Sequence, residues 1–543
     1  MGGPLPTVRD ATFSVLRRHG MTTLYANPGS TEVSLLAGLP DDLSFVLALH
    51  EGSVVGLATG QAIATGRPAL AILHTTAGLG NAVGAIATAR VNRAPLVVLV
   101  GQQDRRHLAL EPFLTGRLTG LAGDYPVWTD QPLRAQDVPG AIARAWHEAG
   151  TGRGPALVVV PMDDWAAEMP AGQVVAAPLA LHRPASVPEA GIADLVALVA
   201  GAASPALVTG AGADHPAAWS ALVELADRLR CPVWQESFGA RAGFPQDHPL
   251  FAGVLPAGRA QQREALAGHD LVLVVGAPVF RHYPYQPGPL LEPGTKIALV
   301  TDDPAEAHRS PADLAVLADL PAVCERLVAA LPSDRRPRGE TVRAPRVSRE
   351  GPPPPAPGEP LRAAHVLAAL AVRLPPDAVV VEETPSSRPD LHRLLPARRP
   401  LGFVSAAMGG LGFALPAAVG LRMGVPHRPV VAVVGDGSAV YGIQALWSAA
   451  RYRAGVLFVV LSNGRYAVMD RLAEAHGAGK APWPAFEEVS LSGLATSFGC
   501  PSLRVDDHDE LLRVLDEVIP GLAARDEPLL LDVAVTPDPD FRP

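Results

Sequence analysis

Apolar residues fall into short unbroken runs of valine, leucine and alanine, each closed by glycine or proline and followed by an alanine-rich stretch with helical spacing. PLVVLV before Gly101, ALVVV before Pro161, DLVLVVG around Asp270 and PVVAVVG before Asp436 are the clearest of them. A strand with one wet face would alternate polar and apolar residues. Runs that are apolar at every position suit strands covered on both faces, as in parallel sheets flanked by helices. Their alternation with helical stretches from end to end predicts βαβ units and an α/β fold throughout.

Two stretches break this rhythm. One, from about Asp163 to Glu189, is rich in alanine and proline. The other, from about Ser333 to Pro360, holds DRRPRGE and GPPPPAPGEP, whose proline clusters fit neither a sheet nor a helix interior. A chain of 543 residues is expected to hold several domains. The breaks predict three doubly wound parallel-sheet domains at residues 1–175, 185–335 and 361–543, with a proline-rich linker at 336–360.

Composition narrows the class. With 48% apolar and 18% charged residues, this is a packed globular chain. Net charge is -9, acids and bases are mixed, and no basic stripe with interleaved aromatics stands out, which argues against a nucleic-acid partner. No apolar run is long enough to span a bilayer. Cys231, Cys324 and Cys500 form no CxxC pair, so buried free thiols in a reducing compartment are expected. The opening MGGPLPTVRD lacks the pattern of a signal peptide, and the expected location is the cytoplasm.

The strongest local signal is PVVAVVGDGSAVYGIQALWSAARY followed by LFVVLSNGRY. It reads as a buried strand, a Gly435-Asp436-Gly437-Ser438 turn, an amphipathic helix, and a second strand ending at Asn463. Small glycines let main-chain N–H groups approach a phosphate, and a helix N-terminus favours negative charge there. Asp436 offers the hard anionic oxygen that Mg²⁺ prefers. Asn463 arrives at the carboxyl end of the next strand, where ligands of open parallel sheets gather.

Further segments follow in a fixed order: ANPGSTE ending at Glu32, LALHEGSVVGLATG around Glu51, LHTTAGLGNAVGA around His74, PLVVLVGQQDRR, GAPVFRHYPYQPG and GGLGFALPAAVG. With the GDGS and Asn463 pair, this set resembles the thiamine diphosphate (ThDP) enzymes, and most closely the benzoylformate decarboxylase family. The resemblance covers all three blocks. It implies ThDP and Mg²⁺ (or Ca²⁺) as cofactors, with Asp436, Asn463 and the carbonyl of Arg465 as metal ligands. Gly435, Gly437, Ser438, Ser386 and Tyr466 match positions around the diphosphate. The Gly409 carbonyl would accept the aminopyrimidine N–H, and Leu411 would wedge the two rings into a bend. Glu51 would protonate the pyrimidine ring, so that the cofactor's own amine acts as the base. Its apolar flanks predict burial. Ser30 would hold the substrate carboxylate, and His74 would shuttle protons.

The implied reaction is non-oxidative decarboxylation of a small-molecule 2-oxo acid, with carboligation as a second activity. An acetolactate-synthase-like carboligase is the alternative. A non-catalytic scaffold is disfavoured, because it needs no joint retention of Glu51, Asp436 and Asn463. The family also implies a homodimer or a dimer of dimers, with the site between Glu51 of one subunit and Asp436 of the other.

Departures from the family concern the substrate. The second catalytic histidine belongs one position after His282, where this chain has Tyr283. Either a local backbone shift returns the His282 imidazole, or the Tyr283 hydroxyl replaces it. Ser405 and Leu472 stand where the family's pocket has phenylalanines, which removes apolar walls suited to a phenyl ring. Phe113 and Val468 match substrate-lining positions, and Asp470 and Arg471 lie close by in sequence. Pro385 replaces a polar residue, and Ser462 the first of two asparagines. LVTGAGADH lacks a third glycine and a following acid, so a dinucleotide role is disfavoured.

Overall fold

The structure is a computed structural model that describes residues 5–170, 172–178, 180–181, 187, 189–332, 345–356, 358–477, 481–538 and 541. Among these residues the strands form three six-stranded sheets, parallel throughout. The first holds β1 (Thr23–Asn27), β2 (Ser44–Leu47), β3 (Ala69–His74), β4 (Leu96–Gln102), β5 (Trp128–Asp130) and β6 (Pro155–Pro161), in the order β2-β1-β3-β4-β6-β5. The second holds β7 (Pro205–Thr209), β8 (Val233–Gln235), β9 (Phe251–Val254), β10 (Leu271–Val275), β11 (Lys296–Thr301) and β12 (Leu314–Leu317), in the order β12-β11-β10-β7-β8-β9. The third holds β13 (Val379–Glu383), β14 (Phe403–Ser405), β15 (Val430–Gly435), β16 (Leu457–Ser462), β17 (Ser502–Val505) and β18 (Leu529–Ala534), in the order β14-β13-β15-β16-β18-β17.

The four apolar runs singled out above are β4, β6, β10 and β15. Every residue of β4 and β6 is buried, as helices on both faces require. The linker stretch 336–360 lies partly outside the described residues, and its described part carries no helix or strand. The single helix expected after Asp436 is instead two short ones, Asp436–Tyr441 and Ala445–Arg451. The break falls at Gly442, where an added Cβ would lie 2.9 Å from the Gly412 carbonyl. Close backbone contact there leaves no room for a continuous helical side-chain surface.

The first and third sheets share one hydrophobic core, which includes Val54, Leu57 and Ala58 with Ala414, Ala417 and Leu421. These residues belong to two helices, Glu51–Thr65 and Ala414–Gly424, that cross with their backbones nearly touching. A Cβ on Gly60 would sit 2.1 Å from the Ala417 carbonyl, and one on Gly420 would sit 1.9 Å from the Leu57 carbonyl. Glycine is therefore needed for the approach, which explains an apolar helix with almost no exposed face. The contact fixes Glu51, at the head of one helix, relative to the segment 409–413 that opens the other.

The close crossing makes a direct prediction. Gly420→Ala should cost about 1–3 kcal/mol through overpacking, or more if the helices cannot separate. The urea midpoint of unfolding should fall, and an unchanged midpoint would contradict the crossing described here.

Candidate active site

At the carboxyl edge of the first sheet, three segments converge. Glu51 heads its helix directly after β2 and is 9% exposed. Its Oε1 accepts from the Asn27 side-chain amide at 3.1 Å and its Oε2 from that of Asn81 at 3.1 Å. Asn27 ends β1, and Asn81 lies in the helix Thr75–Val91 that follows β3. His74 ends β3, and its Nδ1 lies 3.0 Å from Glu32 Oε2 and 2.9 Å from Thr31 Oγ1. Glu32, itself buried, also accepts the Gly29 N–H at 2.7 Å. The His74 and Glu51 side chains meet around Gly78, from which an added Cβ would lie 3.4 Å from His74 Cβ and 3.6 Å from Glu51 Cγ. Ser30 is exposed beside this group.

A second cluster forms at the carboxyl edge of the third sheet. Asp436 is 3% exposed, and the N–H groups of Gly437 (2.8 Å), Asn463 (2.8 Å) and Gly464 (2.6 Å) donate to its carboxylate. Burial pushes its pKa up in spite of these donors. Asn463 Oδ1 accepts from the Arg465 N–H at 3.1 Å. The Tyr466 ring lies over Gly437, 2.7 Å from where a Cβ would stand, and packs against Phe486. Gly435 and Ser438 flank Asp436, while Ser386 follows β13 in the neighbouring loop. Gly409 (φ +72°) and the exposed Leu411 lie in the loop between β14 and the helix Ala414–Gly424. Glu383, at the end of β13, caps that helix by accepting from the N–H groups of Gly412, Phe413 and Ala414. Burial pushes the Glu383 pKa up to about 7, against the pull of those three donors.

Comparison with known proteins decides the family. Residues 6–121, 192–327 and 386–533 match the N-terminal TPP binding, central and C-terminal TPP binding domains of the thiamine pyrophosphate enzymes. The chain belongs to the thiamine pyrophosphate enzyme family. It is 38% identical over 532 residues to benzoylformate decarboxylase of Pseudomonas aeruginosa, covering 97% of this chain and 99% of that protein. The solved structure of the Rhodococcus jostii RHA1 thiamine diphosphate-dependent 4-hydroxybenzoylformate decarboxylase aligns with a TM-score of 0.92 at 37% identity, over 98% of this chain and 100% of that one. The acetolactate synthase large subunit of Parasynechococcus marenigrum is 28% identical, over 97% of this chain and 87% of that protein. The chain is thus a ThDP-dependent enzyme similar to the benzoylformate decarboxylases, and more distantly to acetolactate synthases.

Other residues that sequence pointed to are placed less simply. Ser405 ends β14, but its hydroxyl donates to Glu382 Oε2 at 2.7 Å inside a buried polar group. Arg388 completes that group, with Nη2 3.1 Å from Glu382 Oε2. Val468 and Leu472 are half-buried on the helix Ala467–Ala475. Asp470 there is held by Arg465 (2.8 Å) and Trp483 (2.9 Å), while Arg471 bonds Glu474 (2.8 Å). Phe113 stands on an open loop, 87% exposed. His282 places Nε2 2.5 Å from Gln262 Oε1 in the middle block, while Tyr283 is exposed. In LVTGAGADH, Gly210 and Gly212 pack on the main chain around Gly276; a Cβ on Gly212 would lie 2.8 Å from Gly276 Cα. These glycines allow the close approach of the two loops.

Asn27, Asn81, Thr31, Glu32, Glu383 and the Glu382–Arg388 pair went unnoticed in the sequence. Asn27, Thr31 and Glu32 lie inside the quoted ANPGSTE and Asn81 inside LHTTAGLGNAVGA, yet only folding shows which side chain each one meets.

The Glu382 group carries a pH signature. Burial raises its pKa, but Arg388, the Ser405 hydroxyl and the Thr384 N–H outweigh that and hold it at about 2, against an ordinary 4.5. A depressed carboxylate adds stability above its unfolded pKa and loses it as pH falls toward the folded one. Glu382→Gln should therefore lower stability by about 1–3 kcal/mol at pH 7, a modest figure because the Arg388 side chain is 25% exposed. The gap to the unmodified protein should close between pH 4.5 and 2 in denaturant titrations. A pH-independent gap would contradict the assignment.

Proposed function

We propose that this enzyme decarboxylates a 2-oxo acid without oxidation, using ThDP and a divalent cation such as Mg²⁺. The observation that carries the reading is Glu51, a buried carboxyl at a helix head whose two oxygens are both held by side-chain amides. Held in this way, it is suited to share a proton with a ring nitrogen delivered to that edge of the sheet. When bound, ThDP supplies a nucleophilic carbon and an electron sink for the bond-breaking step.

The residues present fit the cation. Asp436 is a buried carboxylate whose partners are main-chain N–H groups and not a basic side chain. A hard divalent ion would relieve the charge that burial penalises, with Asn463 and the Arg465 carbonyl as further oxygen ligands. Gly435, Gly437, Ser438, Ser386 and Tyr466 would surround the diphosphate, and Gly409 and Leu411 would set the angle between the rings.

Around the substrate, Ser30 would bind the carboxylate. His74, oriented by Glu32 and Thr31, would deliver or take a proton at the reacting carbon. The second proton-transfer role would fall to His282, whose Nε2 lies against Gln262, or to the exposed Tyr283. Phe113, Ser405, Val468 and Leu472 would shape the side-chain pocket. A weaker second proton donor leaves time for another carbonyl compound to be captured, which makes carboligation a second activity. Leu49, Met408, Val440 and Tyr441 stand exposed near the two clusters in sequence. These exposed apolar side chains support a homodimer, or a dimer of dimers, in which one subunit supplies Glu51 and its partner Asp436.

Two measurements check this. CO₂ release from a panel of aromatic, branched and polar 2-oxo acids, with ThDP and Mg²⁺ present, should identify at least one substrate. Glu51→Gln should slow that release by about 100-fold or more. Full activity in Glu51→Gln, or no release from any panel member by loaded enzyme, would remove the proposal.

A further inference from the structure

The chain between β14 and the helix Ala414–Gly424 has an unusual foundation. Ser405, Ala406 and Ala407 are buried, while Met408, Gly409 and Leu411 beyond them are exposed. Buried main-chain polar groups need partners, and here they come from both of the other blocks. Ser405 N–H donates to the Ala240 carbonyl at 2.9 Å, and Arg281 Nη1 donates to the Ala407 carbonyl at 3.1 Å. The pair between them is supplied by one side chain. Asn92 Nδ2 donates to the Ser405 carbonyl at 3.0 Å, and Asn92 Oδ1 accepts the Ala407 N–H at 2.9 Å. The amide thus substitutes for a neighbouring strand, giving one donor and one acceptor to the same short stretch.

Asn92 is itself immobilised. It is fully buried at the end of the helix Thr75–Val91, its N–H donates to the Thr88 carbonyl at 2.9 Å, and its own carbonyl accepts Arg241 Nη1 at 2.9 Å. That helix starts directly after His74 and carries Asn81, the partner of Glu51. With 17 residues it is about 26 Å long, a rigid rod with the acid cluster at one end and the loop clamp at the other.

We infer that Asn92 is a positioning residue for the cofactor: it touches no reacting atom, but its two-point clamp on Ser405 and Ala407 sets where Gly409 and Leu411 present themselves. This rests on the proposed role of that loop in holding ThDP. The chemistry of the side chain is specific. Aspartate would keep the Ala407 bond but turn an oxygen toward the Ser405 carbonyl, and alanine would leave both main-chain groups without a partner.

The test uses the full-length apoenzyme titrated with ThDP at saturating Mg²⁺. It follows affinity, the near-ultraviolet circular dichroism of the bound aminopyrimidine, and CO₂ release. Asn92→Ala should weaken ThDP binding at least about tenfold, which is 1.4 kcal/mol, and reduce the pyrimidine band per bound cofactor. Asn92→Asp, isosteric and expected to fold, should shift both in the same direction by less. Gln246→Met provides the structural control. It removes a buried hydrogen bond from Ala397 N–H to the Gln246 side chain (2.7 Å) that joins the middle block to the third without touching the loop. It should lower the unfolding midpoint and leave ThDP affinity and the band unchanged. Wild-type affinity and band in both Asn92 variants would overturn the inference, as would an equal loss in Gln246→Met. Failure of the unmodified protein to bind ThDP would instead overturn the proposed function, and this inference with it.

Discussion

Carboxylates held out of water by N–H groups recur at the carboxyl edges of the first and third sheets, and the site depends on them. Glu51, Asp436, Glu382 and Glu383 are all buried. An isolated carboxylate in such a place would be too costly to keep. Each is retained by donors that the parallel architecture supplies. Helices start where strands end, so free main-chain N–H groups face that edge, and Asp436 and Glu383 each collect three of them. Glu51 takes two asparagine amides instead, and Glu382 takes an arginine, a hydroxyl and a main-chain N–H. The donors differ in kind: main-chain N–H groups hold Asp436 and Glu383, side-chain amides hold Glu51, and Glu382 is paired with a basic side chain.

Geometry between the blocks comes from contacts with little tolerance. The glycine-mediated crossing of the Glu51–Thr65 and Ala414–Gly424 helices sets their separation through carbonyl contacts, with no side chain to yield. The middle block joins them through members of buried ion pairs. Arg241 and Asp214 of that block pair at 3.4 Å; Arg241 donates to the Asn92 carbonyl of the first block, and Asp214 accepts from Leu401 N–H of the third. Burial outweighs the pairing for both, raising Asp214 to about 6 and lowering Arg241 to about 10. Arg281 links Glu236 (2.7 Å) to the loop after β14. Such buried pairs are weak sources of stability, and their value here lies in registering three blocks on one loop.

Much of this was legible in the sequence where information is local. Continuous Val/Leu runs state that a strand is covered on both faces, and all four that were singled out are parallel strands. The GDGS turn and Asn463 could be read because consecutive strands of one sheet deliver them to the same edge. The helix after Asp436 was misjudged because the contact between Gly442 and Gly412 is not local. Long-range partners were hidden for the same reason. Nothing near Asn92 in sequence points to Ser405, and Ser405 gives no sign that it would bond Glu382. The GxG in the middle block shows a further limit, since its spacing alone does not reveal the close packing of its glycines against Gly276.

The central claim is that Asp436 holds a cation-dependent cofactor site that is separable from Glu51. Calorimetric titration of the apoprotein with ThDP, with and without Mg²⁺, tests it most directly, using the unmodified chain, Asp436→Asn and Glu51→Gln. The account predicts Mg²⁺-dependent binding of ThDP by the unmodified chain and by Glu51→Gln, and its loss in Asp436→Asn. Equal, Mg²⁺-independent binding by all three proteins would contradict it.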